Sequence, residues 1–206
     1  MLPTTDRRTA LRERHRRALL DAAAQLMAEA GAGFTVDELA ARADVARRTV
    51  FNHFASLDDV VTTVCTELLG GVVDTVLAAA AQTSPSSSSS IFDELAHALR
   101  TTDIVGPMAF VTRALGHPEE HPGRAGLLLR TMHELSAHVA DAVAQRHPGA
   151  DPLDVRVLVN SLVSGMAVLH GPWFAATGGA ADDHSRRVWA DLLDRLITNV
   201  GAGYRL

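Results

Sequence analysis

Residues 34–56 read Phe-Thr-Val-Asp-Glu-Leu-Ala-Ala-Arg-Ala-Asp-Val-Ala-Arg-Arg-Thr-Val-Phe-Asn-His-Phe-Ala-Ser. Thr35 stands three residues before Glu38, the spacing of a capping box, and predicts a short helix over Val36 to Ala43. That helix ends at Asp44-Val45-Ala46, and a second short helix follows over about Arg47 to His53. Val36, Leu39, Ala40, Val45, Val50 and Phe54 recur at positions that face inward in such a pair. Two helices of this size joined by a three-residue turn read as a helix-turn-helix, whose second helix fits the DNA major groove. Its outward face carries Arg47, Arg48, Thr49, Asn52 and His53. Arginine reads guanine edges bidentately, asparagine reads adenine, and threonine takes a phosphate or a thymine methyl. Thr35 adds a phosphate contact at the start of the preceding helix. The plainer reading is a helical hairpin with a solvated polar face, and spacing alone leaves it open.

The flanking sequence weighs against that plainer reading. Upstream, residues 12–30 place Leu19, Ala22, Ala23, Leu26 and Ala30 on one helical stripe, and Gly31 and Gly33 stop the helix. Before the stripe lies a basic arm of Arg7, Arg8, Arg12, Arg14, Arg16 and Arg17, a source of salt-dependent phosphate attraction. The chain contains no lysine, so all 19 basic residues are arginines. Residues 1–56 hold nine arginines against seven acids, whereas residues 57–206 hold ten against seventeen. The net charge of −5 is therefore a basic head on an acidic body, and it does not exclude DNA as a partner.

The rest of the 206 residues reads as helix, so the fold class is all-α. Ser56 with Asp59 opens a long helix to about Gln82, and helices of about 91–101, 106–116, 123–147, 152–176 and 184–201 follow. The run from Ser84 to Ser90 is a linker by composition. No charge occurs between Val157 and Ala181, a length that spans a bilayer. Asn160, Ser161, Ser164, His170 and Pro172 within it favour a helix buried in protein, so no membrane partner is expected. The arginine-rich start lacks an apolar secretory core, and a single cysteine, Cys65, fits a reducing cytoplasm.

Residues 16–64 resemble the N-terminal domain of TetR-type (tetracycline-repressor-like) transcriptional regulators. The likeness rests on the Ala18 to Ala30 helix, on Gly31-Ala-Gly-Phe-Thr-Val-Asp-Glu-Leu-Ala, on Val45-Ala-Arg-Arg-Thr-Val-Phe-Asn-His-Phe, and on Ser56-Leu-Asp-Asp-Val. It implies a three-helix DNA-binding domain over residues 1–56 and a helical effector-binding and dimerisation domain over 57–206. It implies a homodimer on a palindromic double-stranded operator, with contacts from Arg47, Arg48, Thr49, Asn52 and His53. It also implies a small-molecule effector that releases a cytoplasmic repressor. Two positions depart from the family: Ala46 replaces the usual serine cap of the second helix, and Leu57 stands where a phosphate-touching lysine is usual.

The body sequence supports dimerisation independently. The uncharged 157–176 segment cannot face water, and Ser164, Gly165 and Ala167 allow close helix approach. The last helix offers Val188, Trp189, Leu192, Leu193, Leu196 and Val200, so that two helices per subunit would form a four-helix interface. The alternative is that both helices are core of one chain. Residues for an effector pocket are Phe92, Met108, Phe110, Met132, His133, Met166, His170 and Trp173, although such residues at helical spacing also build ordinary core.

Other chemistry is weakly supported. His117-Pro-Glu-Glu-His121 has metal-ligand types but no third ligand at a fixed offset, so neither a metal nor a cofactor is expected. Cys65 reads as an inert buried thiol. There is no phosphate-cradling glycine loop, nucleophile elbow or paired-carboxylate pattern, which speaks against a helical enzyme. A regulator without a small-molecule effector is the other alternative.

Overall fold

The computed structural model describes residues 4–82, 90–115 and 122–203. Among them all regular structure is helical, in the order α1 (Thr4–Ala30), α2 (Val36–Arg42), α3 (Arg47–His53), α4 (Leu57–Gln82), α5 (Ile91–Thr101), α6 (Val105–Leu115), α7 (Pro122–Arg146), α8 (Pro152–Thr177) and α9 (Asp183–Ala202). Most of the linker from Ser84 and the whole His117–His121 motif lie outside the described residues. The sequence reading starts the first helix near residue 12. In the structure α1 begins at Thr4, so the arginine run is helical rather than a separate arm.

Packing divides the chain into two units. The first comprises residues 1–67 with 110–128, and the second comprises 68–109 with 129–206. In the first unit α1, α2 and α3 touch pairwise. Leu19, Leu20, Ala22, Ala23 and Met27 of α1 are buried, as are Leu39, Ala40, Val50 and Phe54. Burying side chains of this size supplies about 1.5–3 kcal/mol for each large apolar residue.

Local chemistry fixes the element ends. The Glu38 N–H donates to the Thr35 hydroxyl at 3.2 Å, and the Thr35 N–H donates to the Glu38 carboxylate at 2.7 Å. These bonds, backbone first and hydroxyl second, hold the Glu38 carboxyl below its ordinary range. Asp44 takes the left-handed backbone conformation (φ 52°) in the turn between α2 and α3. Aspartate tolerates that region better than most residues. Ala46 caps α3 without a side-chain hydrogen bond, leaving that end held by backbone alone. Ala46→Ser would let a hydroxyl accept the N–H of Thr49. It is expected to stabilise the first unit by about 1 kcal/mol, read as a higher unfolding midpoint.

In the second unit the core joins α4, α5, α7, α8 and α9 through Val76, Ala80, Leu95, Leu99, Val143, Val159, Leu162, Leu193, Leu196 and Ile197. The longest packed seam runs between α8 and α9. Gly165 sits in it, where a methyl group would overlap Leu196. A smaller cluster gathers Val105 and Ala109 of α6, Trp173 of α8 and Trp189 of α9. The Glu94 carboxylate on α5 is buried and meets His147 at 3.1 Å and Arg146 at 3.6 Å, near the end of α7. The Arg146 charge and the His147 contact make a buried carboxylate tolerable.

The seam corrects one expectation about α9. Trp189, Leu193 and Leu196 are buried in the chain's own core, with Val188, Leu192 and Val200 packed beside them. Much of the apolar stripe of α9 is therefore covered within one chain, by α8 together with α5 and α6. The opposite face of α8 stays open, with Leu153, Val157 and Val168 exposed by 67 %, 58 % and 73 %. Helices α4 and α8 are both long and apolar enough to cross a membrane by length and composition. Helix α8 nevertheless buries Trp173 completely and carries Asn160, whose amide donates to the Arg156 carbonyl at 2.7 Å.

Candidate nucleic-acid interface and effector region

Helix α3 turns about 100° per residue, so its seven residues divide cleanly into faces. Val50 and Phe54 point into the core of the first unit. Arg48 and Asn52, four residues apart, lie opposite them and are exposed. Arg47 is also exposed, while Thr49 and His53 on the far flank are half-buried. Of the five side chains singled out in the sequence, Arg48 and Asn52 thus form the centre of the outward face, with Arg47 on one flank and Thr49 and His53 on the other.

Two of the expected contact residues already have partners. The Arg47 guanidinium donates to both carboxylate oxygens of Asp37 on α2, each at 2.9 Å. Both side chains are well exposed, so this ion pair is worth little in water and can open when a stronger anion arrives. The Thr35 hydroxyl accepts from the Glu38 N–H and donates to its carboxylate at 2.9 Å. A phosphate contact through that hydroxyl would have to displace Glu38. Asp37→Asn removes an acid from this face and releases Arg47. Its expected result is a few-fold gain in affinity for any duplex at low salt, measured by fluorescence anisotropy.

The structure adds a residue the sequence reading did not assign. Phe51 lies on the Arg47 side of the outward face and is 50 % exposed. A large apolar ring open to water on a groove-sized helix suits contact with a thymine methyl. The sequence reading assigned Phe51 neither an inward nor an outward role, and its helical angle places it away from Val50.

His53 links α3 to α1. Its ring meets His15 edge to face, with centroids 6.4 Å apart. The Arg16 guanidinium lies 4.9 Å from the centre of the Phe54 ring, a cation–π contact. Partial burial pushes the His53 pKa down. Arg12, His15 and Arg16 push it the same way, and Glu13 opposes them.

Residues 19–63 match the family described as bacterial regulatory proteins, tetR family. That match covers the later part of α1, all of α2 and α3, and the start of α4. No curated protein is similar enough in sequence to match the chain. Solved structures extend the fold likeness beyond the tetR-type head. A protein assigned as a TetR-family transcriptional regulator in Mesorhizobium loti is 14 % identical, with 91 % of this chain and 96 % of that one covered at a TM-score of 0.62. The fatty acid degradation regulator FadR of Bacillus halodurans is 16 % identical, with 93 % and 96 % covered at 0.59. FadR of Bacillus subtilis, solved with stearoyl-CoA, is 15 % identical, with 91 % and 98 % covered at 0.52. These likenesses establish an all-helical TetR-like fold, with a helix-turn-helix head followed by a helical body.

Within the second unit, the effector residues proposed from sequence fall into separate places. Met108, Met166 and Trp173 belong to one cluster, together with Trp189. The His170 ring lies 5.8 Å from Trp173 and stacks at 6.1 Å on Phe174. Burial lowers the His170 pKa, favouring a neutral imidazole that can donate and accept. The indole N–H groups of Trp173 and Trp189 and the Ser185 hydroxyl are buried without a hydrogen-bond partner among the described residues. Phe92 packs in the larger core, against Gly201. On α7 Met132 is half-buried and His133 is exposed. Phe110 falls in the first unit. Two open grooves, one lined by Ala79, Gln82, His97 and Thr101 and the other by residues of α1 and α2 with the turn between them, include none of these side chains.

Proposed function

We propose that this protein is a cytoplasmic, homodimeric transcriptional repressor that binds a palindromic DNA operator and leaves it when a small molecule binds the body. The observation that carries this reading is the outward face of α3. Arg48 and Asn52 stand side by side there, with Arg47, Thr49 and His53 around them. These residue types read base edges and phosphates, and helix α3 has the length of a groove-reading helix. Thr35 serves as a further phosphate contact once Glu38 gives way.

The division of labour follows the two charge populations. Residues 1–56 act as the DNA-binding head and residues 57–206 as the sensing and dimerising body. Dimerisation uses the open face of α8, whose Leu153, Val157 and Val168 are too exposed for a lone soluble chain. Such a face, repeated by a two-fold axis, forms a self-complementary interface. The effector site centres on Met108, Met166, His170 and Trp173, supported by the unpaired indole N–H groups beside them. Phe92, Met132 and His133, which lie elsewhere in the second unit, and Phe110, which belongs to the first, are not part of this proposed lining. The stearoyl-CoA bound by Bacillus subtilis FadR supports a ligand role for this kind of body.

An effector must bind the two states unequally to act, and a coupling of about 1–3 kcal/mol changes DNA affinity many-fold. A thermal-shift screen followed by operator release tests this part. A compound that raises the unfolding midpoint and frees the operator is the expected result. Stabilising compounds that never affect operator binding would count against a ligand-gated repressor.

A further inference from the structure

The contact between α1 and the end of α3 is unusual in its charge. His53 and His15 meet ring edge to ring face at 6.4 Å. Arg12 and Arg16 stand on the same side of α1, four residues apart, and Arg8 continues the row one turn earlier. Arg16 is engaged on the Phe54 ring. Arg12 is exposed, and His15 and His53 are half-buried. Two imidazole rings thus meet at the rim of the helix-turn-helix, with the Arg12 charge near enough to act on His53. Partial burial and the neighbouring guanidinium groups disfavour a charged His53 ring, and an anion placed among those groups would reverse that preference.

We propose that Arg12, His15 and His53 form a composite phosphate seat that takes up a proton when a backbone phosphate of the duplex docks there. This inference rests on the reading that the head binds DNA, and it adds to that reading a site on α1 and a coupling to pH. In the free protein, burial and the neighbouring bases keep the His53 imidazole neutral, with Glu13 as the opposing charge. On the side of α2, Asp37 is paired with Arg47, and at the start of α4 the Asp59 carboxylate accepts the Ala55 N–H at 3.0 Å. A docked phosphodiester brings a full negative charge, which favours the imidazolium. The proton comes from solvent, and His53 then donates a charge-assisted hydrogen bond to the phosphate oxygen. The midpoint for His53 is low in the free state and higher in the complex. Affinity for DNA therefore rises as pH falls between the two midpoints, and it levels off below the free-state midpoint. A midpoint change of one pH unit corresponds to about tenfold in affinity per head.

The test uses the full chain and an operator selected from random duplexes. The His53 ring resonance is followed by NMR through a pH titration, with and without operator. The expected result is a midpoint raised by about one unit in the complex, with operator affinity rising several-fold from pH 7.5 to 5.5 at constant salt. His53→Gln should flatten that pH profile, and His15→Gln should weaken operator binding. Arg12→Gln should weaken binding and lower its salt dependence by about one phosphate contact. Inorganic phosphate at the same ionic strength should leave the His53 midpoint in place. A phosphate effect as large as the operator's would overturn assignment of the seat to the DNA backbone. Operator binding with an unmoved His53 midpoint would overturn the proposal while leaving the DNA-binding reading intact. Failure to select any operator would overturn both. The resonance experiment needs no variant, so poor folding of a histidine substitution does not spare the proposal.

Discussion

Replacing Arg48 or Asn52 by alanine is expected to lower operator affinity by one to two orders of magnitude while leaving the fold intact. Both side chains lie opposite the buried Val50 and Phe54, on the part of α3 that faces away from the core. Neither supports the packing of the head, so the change in unfolding free energy should stay within about 0.5 kcal/mol. A bidentate contact to a base edge contributes about 1–3 kcal/mol of discrimination. Each loss is repeated in both heads of a dimer. The two substitutions should also relax sequence preference, because a base-reading group has gone. Arg12→Gln offers the contrast, since loss of a phosphate contact weakens all duplexes alike. Competition anisotropy with specific and scrambled duplexes separates the two behaviours. Unchanged operator binding in both Arg48→Ala and Asn52→Ala would show that α3 does not read the bases.

Val168→Asp is expected to split the dimer without unfolding the chain. Val168 is the most exposed large apolar residue on the open face of α8, at 73 %. It lies on the same side as Leu153, Val157 and Ser164 by helical angle, and away from the seam where Gly165 meets Leu196. In a lone chain an aspartate there would be solvated at little cost. In a two-fold interface the same position is buried in both subunits, and burying an unpaired carboxylate there is costly. Sedimentation should therefore shift from the mass of two chains to that of one, with helical content preserved. Operator affinity should fall with it, because two linked heads gain from effective concentration and a single head does not. A Val168→Asp protein that remains a dimer would place the interface elsewhere.

The head was nearly complete in the sequence because its signals are local. Thr35 and Glu38 announce a capping box, and the structure contains both of its hydrogen bonds. The bounds of α2 and α3 lie within a residue or so of those read from capping and periodicity. The missing cap at Ala46 was legible for the same reason. What escaped notice depends on partners distant in sequence. Arginines 7–17 read as an arm because charge hides helical periodicity, yet α1 extends to Thr4. The Asp37–Arg47 pair and the His15–His53 contact join residues ten and 38 positions apart, and no spacing rule reveals them. Phe51 and Phe54 are alike in type, yet Phe51 is exposed on α3 while Phe54 is buried in the extended residue that follows it.

The body was legible as helices and much less so as a site. An apolar stripe states that a surface is covered but not what covers it. The α9 stripe of Trp189, Leu193 and Leu196 illustrates this, since α5, α6 and α8 of the same chain pack against it. The candidate pocket residues shared size and polarity, but the helix crossings group Met108, Met166 and Trp173 and leave His133 exposed on α7. Crossing angles come from side-chain packing over whole helices, and a single stripe does not encode them.

The central claim is that α3 of this chain reads DNA sequence as one half of a dimer. Selection of bound duplexes from a random pool tests it most directly. The account predicts enrichment of a palindrome whose half-sites are centred about one helical turn apart, roughly 34–36 Å. Recovery of unenriched duplexes, with binding that vanishes as salt is raised, would show a basic surface that reads no sequence and would contradict the account.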